Sequence, residues 1–340
     1  MPRKTKMNSI TSPELLAQVN PENMQLLEDF LDYLRSIKRS DTTCNAYRND
    51  IEIAWVWSLR FNNNAFFCDW TKRNVVRYQN WLINENQNSP ARVRRLKAAL
   101  SSLGNYVETI LDEEYPKFRN FINKIESPVN QPVREKTVLS EQEVSDMLTQ
   151  LVERQKFEMA CLFALAAYGG RRKSELCRFR VSDFADDKLV CGGSLWRSDP
   201  IKTKGRGDGK FLNCYTLVKE FKPYLDLWMM ERERLGIDSP WLFPDPKDPS
   251  KTMPVSTVNS WTNYLCSITG KQIYAHCLRH GYTTMLSNRG IPDNVIKEIV
   301  GWGSLEMVSL YIDRTTEDTL DMYFGAEGIK TVDAKSLSDL

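Results

Sequence analysis

The run Phe157 to Tyr168 (Phe-Glu-Met-Ala-Cys-Leu-Phe-Ala-Leu-Ala-Ala-Tyr) constrains this chain more than any other stretch. It is apolar nearly all round, so as a helix it has no face to give to water. Such a helix belongs inside a core, and the surrounding chain must supply the layers that cover it. It ends at Gly169-Gly170, and Arg171-Arg172 follow at once. A surface arginine pair at a helix junction is the plain reading of these two residues. The other is a guanidinium held rigidly over an anion, since arginine is always charged and its planar fork engages two oxygens. Glu175, about one turn on, is placed to orient Arg172.

The N-terminal third has a different pattern. Residues 1–20 carry little periodicity and are expected to form a flexible tail. From Asn23 onward, Met24, Leu27, Phe30, Leu31 and Leu34 recur at helical spacing. A second helix is predicted from Asp41, as its N-cap, to about Leu59, with Tyr47, Ile51, Ala54, Trp55 and Ser58 on one face. A third covers Thr71 to Asn84, with Val75, Tyr78, Gln79 and Leu82 turned inward. The fourth opens at Ser89-Pro90, a cap followed by proline in the first helical position. Val93, Leu96, Leu100, Leu103, Tyr106 and Val107 line its apolar face. Arg92, Arg94, Arg95 and Lys97 line the other, as candidate contacts to DNA phosphates or simply as a solvated face.

Prolines 128 and 132 in a polar setting mark an extended linker over 127–136. Ser140 and Glu143 then form a capping-box signature for a new helix. The organisation expected is a helical domain over 21–126, a second domain over 137–325 and a tail over 326–340. Lys188 to Tyr215 has glycine turns and short β-prone runs and reads as a small antiparallel sheet, with Lys202 to Lys210 as its glycine-rich turn. Helical patterns resume over Leu217 to Arg234, Val258 to Ile268, Leu278 to Asn288, Asp293 to Val300 and near Glu306 to Tyr311. The fold class is mainly α with a small antiparallel β-sheet.

Composition excludes several functions. The 340 residues hold two ordinary domains, and 41% hydrophobic with 26% charged residues is a soluble, globular balance. The net charge of +2 does not by itself announce a nucleic-acid partner; clustered basic residues say more. The eight cysteines are scattered without CxxC spacing, which points to reduced, mostly buried thiols and away from a zinc site. No apolar run reaches membrane-spanning length, and none follows the basic start Met1 to Lys6. A cytoplasmic protein without a membrane partner, a metal or another cofactor is expected.

The two histidines of the chain, His276 and His280, sit in Ala275-His276-Cys277-Leu278-Arg279-His280, where His276 and Arg279 share one face at a helix start. Singly, each has an ordinary explanation: a satisfied histidine at a helix end, or, for Tyr311, a packing tyrosine among thirteen. Together, two arginines, a histidine and a phenol suit phosphoryl transfer. The cations clamp a phosphodiester and the phenol attacks it.

In order, Arg172 within Gly170-Arg171-Arg172-Lys173-Ser174-Glu175-Leu176, then His276-Cys277-Leu278-Arg279-His280, Val300-Gly301-Trp302 and Tyr311 resemble the signature of the tyrosine site-specific recombinases. That family comprises the phage integrases and their plasmid, transposon and chromosome-dimer-resolving relatives. The nine-residue step from Trp302 to Tyr311 is part of the likeness, which covers roughly residues 137–320. The N-terminal bundle resembles, less specifically, the family's core-binding domain.

The resemblance implies roles. Arg172 and Arg279 would stabilise charge at phosphorus, and Tyr311 would be the nucleophile, with Tyr323 next in line. His276 would act as base or hydrogen-bond partner. Trp302 would stand where histidine is commoner, able to pack or donate but not to carry a proton. Lys204, with Lys202 as its rival, would protonate the leaving 5′ oxygen from a hairpin turn. Glu175 and His280 would support, and Arg171 would occupy a usually apolar position. The partners implied are double-stranded DNA recombination sites, engaged by a homotetramer on two duplexes, with the C-terminal tail docked on a neighbour. Cutting and rejoining would pass through a 3′-phosphotyrosyl link and a Holliday junction, without ATP. The rivals are a type IB topoisomerase-like nicking and closing enzyme and a non-catalytic sequence-specific DNA-binding relative.

Overall fold

The computed structural model describes residues 10–129, 139–203, 209–302 and 304–305, and the backbone of 324–325 and 328–329. Among them the chain divides into two compact units, 10–129 and the residues from 139 onward. The protein is mainly helical with small antiparallel sheets.

The N-terminal unit holds α1 (Pro13–Leu16), α2 (Pro21–Ser36), α3 (Asp41–Phe61), α4 (Lys72–Asn84) and α5 (Pro90–Ile110). Its helix starts are written in short polar side chains. Ser12, Asn20, Ser40 and Ser89 each accept from a backbone N–H of the following turn, and Pro13, Pro21 and Pro90 open three of the helices. Two expectations change here. Ser40 caps α3 and Asp41 is its first helical residue. Residues 10–20 are no loose tail: α1 forms, Val19 is buried, and the backbone N–H of Asn20 donates to Asn64 Oδ1. Ser12-Pro13 is the same start signal as Ser89-Pro90, but one turn of helix is too short to show periodicity. The core is aromatic, with Trp55, Phe67 and Trp70 in mutual edge and tilted contacts and Tyr78 stacked on Trp81.

The C-terminal unit begins with α6 (Glu141–Glu153), opened by the capping box read from the sequence: Ser140 N–H donates to Glu143 Oε2, and Glu143 N–H to Ser140 Oγ. Next comes α7 (Phe157–Gly169), whose residues from Ala160 to Ala166 are at most 1% exposed. It is the axis of the unit, followed by α8 (Lys173–Leu176) and the strands β1 (Leu189–Val190), β2 (Leu195–Arg197), β3 (Ile201–Thr203), β4 (Lys210–Leu212) and β5 (Tyr215–Leu217). Strands β1, β2 and β5 form one antiparallel sheet in that order, while β3 and β4 form a hairpin pairing Lys202 with Phe211. Helix α9 (Val218–Leu235) packs along α7, followed by the pair β6 (Pro244–Asp245) and β7 (Asp248–Thr252). That pair was not expected, because apart from Thr252 its residues are prolines, aspartates, serine and lysine rather than β-branched side chains.

Three helices complete the described part: α10 (Val255–Thr269), α11 (Ala275–Asn288) and α12 (Asp293–Val300). Helix α11 starts three residues before its expected start at Leu278, which brings His276 into its first turn. A second, smaller core joins α11 and α12 to the sheet through Tyr282, Met285, Leu286, Ile296, Ile299, Leu195 and Leu217. Cys44, Cys161, Cys177, Cys214 and Cys277 are buried in the two units. Most of the expected linker, 130–136, lies outside the described residues, as do the helix near Glu306 to Tyr311 and all of the tail but Gly328–Ile329, which pairs with Phe324–Gly325.

Candidate active site

The site is built where α7 ends. Gly170 closes that helix in the left-handed region, at φ +62°. A Cβ on it would stand 2.2 Å from Tyr282 Cδ1, so glycine is required both by the turn and by the ring behind it. The turn sends Arg171 into the core and sets Arg172 at the N-cap of α8. Glu175 then folds back: its Oε1 accepts from Arg172 Nη1 at 2.9 Å, and its Oε2 accepts from the Arg172 backbone N–H at 3.0 Å. The carboxylate is 1% exposed and the Arg172 side chain 34%, so the acid is buried and the arginine is presented.

Arg279 comes from α11 and meets the same carboxylate, with Nη1 3.8 Å from Glu175 Oε2. That nitrogen donates to the Gly170 carbonyl at 3.0 Å, and Nη2 donates to the Val300 carbonyl at 3.2 Å. The guanidinium lies 5.2 Å from the centre of the Trp302 ring. Burying a cation completely is costly, and Arg279 is 0% exposed. Two carbonyls, a shared carboxylate and an indole face offset that cost. Of the two arginines expected at a phosphate, Arg172 is half-exposed and Arg279 is enclosed. Arg279 ties four chain segments together.

His276 is exposed, one turn before Arg279 and His280 on α11. Its pKa is held below the ordinary imidazole value, first by the protein mass behind the ring and then by Arg279, His280 and Arg172. At neutral pH it is therefore an uncharged ring able to accept a proton or a hydrogen bond. His280 is buried, and Trp302 is buried just beyond Gly301, which has φ +77°. A Cβ on Gly301 would come within 2.7 Å of Leu212 Cδ1, so this turn also needs glycine.

The hairpin is tethered beside α8: Arg178 Nη1 donates to the Lys202 carbonyl at 2.5 Å. Lys202 is exposed on β3. Lys204 and Tyr311 lie outside the described residues. Described so far, the site joins Arg172, Glu175, His276, Arg279, His280 and Trp302 from three chain regions. A half-exposed guanidinium, an uncharged imidazole and a buried acid that orients cations form an anion-receiving arrangement with a proton acceptor. Among the described residues no cluster of histidine, cysteine, aspartate and glutamate is arranged to hold a metal ion.

The four basic residues of α5 are placed differently from one another. Arg92 and Arg95 both pair with Asp50, at 2.6 and 2.8 Å. Arg94 is exposed and donates to the Pro128 carbonyl. Lys97 departs from the expected solvent face: it is 3% exposed, and its Nζ donates to the Ile125 and Glu126 carbonyls at 2.8 and 3.0 Å. The segment after α5 folds back over that position, which helical periodicity within α5 alone does not reveal.

Sequence reasoning did not find what Arg171 does. The carbonyl it binds is on α12, more than a hundred residues away, and only its place directly after an all-apolar helix, in a usually apolar position of the motif, hinted that it is buried.

A family profile described as "Phage integrase family" matches residues 137–318. The SPbeta prophage-derived recombinase-like protein YomM of Bacillus subtilis is 28% identical over 323 residues, covering 91% of this chain and 88% of the relative. A protein named tyrosine recombinase from Thermosipho africanus is 24% identical over 306 residues, covering 87% of this chain and 98% of the relative. Among solved structures, a lambda integrase tetramer bound to a Holliday junction shares the fold, with a TM-score of 0.62 and 18% identity. That likeness covers 85% of this chain and 77% of the other.

Proposed function

The chain belongs to the phage integrase family, and on that premise we propose that it is a site-specific DNA recombinase whose reaction is centred on Arg172, His276, Arg279 and Tyr311. The observation that carries this reading is Glu175. One buried carboxylate holds a half-exposed and a buried arginine together, and both arginines act on the His276 ring. It serves to aim cations at a phosphate, since fixed charge in a dry site acts where charge develops in the transition state.

The chemistry balances without an external energy source. The Tyr311 phenol oxygen attacks the scissile phosphorus, its proton passing to His276 or to water. A 3′-phosphotyrosyl bond forms as the bond to the 5′ oxygen breaks. Lys204 gives that oxygen a proton, with Lys202 as the alternative donor from the same hairpin. Attack by a 5′ hydroxyl of the partner strand reverses the step and frees the tyrosine. The phosphodiester energy is stored in the protein–DNA bond, so no ATP is consumed. Arg172 makes the first phosphate contact. Arg279 and Trp302 back it, and Arg279 touches phosphate only once an edge of its guanidinium is uncovered as DNA is engaged. An unperturbed phenol, of pKa about 10, is a weak nucleophile at neutral pH, and the neighbouring cations favour its ionised form.

We read the N-terminal unit as the core-binding half of a clamp on duplex DNA, with Arg92, Arg94 and Arg95 as phosphate contacts. Lys97 is a structural tether instead. Two duplexes and a Holliday junction call for four copies, and the lambda integrase tetramer on such a junction supports that stoichiometry here. The enzyme would act in the cytoplasm, where its DNA is.

The test is covalent capture. Wild-type protein on nicked suicide duplexes should leave a denaturation-resistant DNA adduct, and Tyr311→Phe should bind the same DNA and leave none. An adduct with the variant would move the nucleophile to another tyrosine, Tyr323 first. Relaxation of supercoiled plasmid without site preference would favour a topoisomerase-like activity. Binding without any adduct would favour the non-catalytic relative.

A further inference from the structure

Arg171 is the least expected side chain of the C-terminal unit. It is 1% exposed, and no carboxylate among the described residues pairs with it. A buried guanidinium without a counter-ion is destabilising unless something else answers it. What answers it is the end of α12: Nη2 donates to the Ile299 carbonyl, in the last turn. The next carbonyl, of Val300, receives Arg279 Nη2. Last-turn carbonyls lack intrahelical partners and carry partial negative charge, so two cations meet an acceptor of the right sign there.

The two arginines arrive from different elements, Arg171 from the turn after α7 and Arg279 from α11. Arg279 also donates to the Gly170 carbonyl, next to Arg171 in the chain. The bonds therefore make a closed circuit: Gly170-Arg171 to Ile299-Val300, from there to Arg279, and back to Gly170. Just past the circuit lies Gly301, where an added Cβ would stand 3.8 Å from Arg171 Nη1. That glycine turn delivers Trp302 to Arg279.

We propose that Arg171 is a positioning residue for strand cleavage: it locks the turn bearing Arg172 to the end of α12, so that Arg172 and Trp302 are held in one frame. This rests on the reading of Arg172, Glu175 and Arg279 as the phosphate site. Arg171 touches no DNA. It acts by fixing the distance between two parts of the site that the chain itself joins only through some 130 intervening residues. A misplacement of about 1 Å in such a site slows chemistry by roughly 100-fold.

The experiment uses the full chain and nicked suicide duplexes carrying a site captured covalently by the wild-type protein. Arg171→Leu removes the charge and the bond to Ile299 while filling the space. The proposal expects single-turnover adduct formation slowed by about 100-fold, with duplex affinity nearly unchanged, and partial recovery in Arg171→Lys, which keeps a long cationic donor. It also expects the 19F signal of fluorotryptophan at Trp302, identified by its loss in Trp302→Phe, to shift in the Leu variant. If Arg171→Leu does not fold, Arg171→Gln is measured in the same way. Wild-type cleavage by a folded Leu or Gln variant overturns the proposal, and so does a loss of affinity matching the loss of cleavage with the Trp302 signal unmoved. Arg172→Ala runs in parallel. If it cleaves normally, the phosphate-site reading is what fails. If it is inactive while Arg171→Leu cleaves normally, only the positioning role fails.

Discussion

The two units each place a pair of arginines on one buried carboxylate, and the pairs differ in what surrounds them. On α3 and α5, Asp50 takes Arg92 and Arg95, whose side chains are 32% and 57% exposed. In the other unit Glu175 takes Arg172 and Arg279, at 34% and 0%. Around Asp50 the cations lie at the surface, with no histidine beside them. Around Glu175 one cation is fully enclosed, fixed by two carbonyls and an indole, and an uncharged imidazole stands near enough to feel both. A shared acid by itself makes a structural cross-link between helices. It becomes a site when one arginine is immobilised so that the other can be aimed.

That contrast can be broken most sharply at the exposed arginine. Arg172→Ala should lower adduct formation by about 10³-fold, whereas Arg92→Ala should leave the chemical step unchanged once DNA is saturating. Single-turnover cleavage at high protein concentration reads both; equal losses would erase the distinction.

The acids come next. Glu175→Gln strips the charge from beneath a fully buried arginine and should destabilise its unit by about 3–5 kcal/mol as well as slow cleavage. Asp50→Asn, with both partners partly in water, should cost about 1 kcal/mol or less and leave the cleavage step alone. Denaturant melts monitored separately for each unit would show whether the order is reversed.

His276 sharpens the contrast through pH. Its folded pKa is lowered, so protonation favours the unfolded chain. The stability this ring contributes is complete above the ordinary imidazole value, about 6.5, and is lost as pH falls from there through the lower folded value. If His276 is the proton acceptor, the acid limb of the single-turnover rate should also fall below pH 6.5, and His276→Asn should flatten it. A limb centred at or above that value would contradict the uncharged state.

The smallest effects belong to α5. Replacing Arg92 and Arg95 with alanine should reduce the slope of log K against log salt by roughly two. Lys97→Met should leave the slope as it is while lowering the melting temperature of the N-terminal unit, since its ammonium is spent on two carbonyls. An unchanged slope in the arginine pair would mean that this cross-link touches no phosphate.

Much of this was legible in the residues. The helices of the N-terminal unit follow from caps, prolines and a 3.6-residue apolar rhythm, all of them local signals. The buried α7 and the capping box before α6 were equally plain. The pair β6 and β7 escaped because, Thr252 apart, its strands carry none of the side chains that favour strands, and it is held by pairing and by bonds from Ser239 and Trp241 to its backbone. The burial of Lys97 escaped because the chain that covers it comes back from residues 125–126. At the site, the sequence motifs name the actors but not their depth. Arg172 and Arg279 look alike as letters. Only the packing of α7, α11 and α12 decides which is presented and which is enclosed.

The circuit through Arg279 also bears on the order in which the chain is made. Its acceptors, Gly170 and Val300, emerge from the ribosome at very different times. A chain halted between α11 and α12 carries Arg172, its acid and Arg279 but lacks the carbonyl that completes the enclosure of Arg279. In such a product the guanidinium of Arg279 is expected to lack the acceptor that fixes it. For a DNA recombinase, a fragment that stops short of α12 is then expected not to cut a strand that it cannot rejoin.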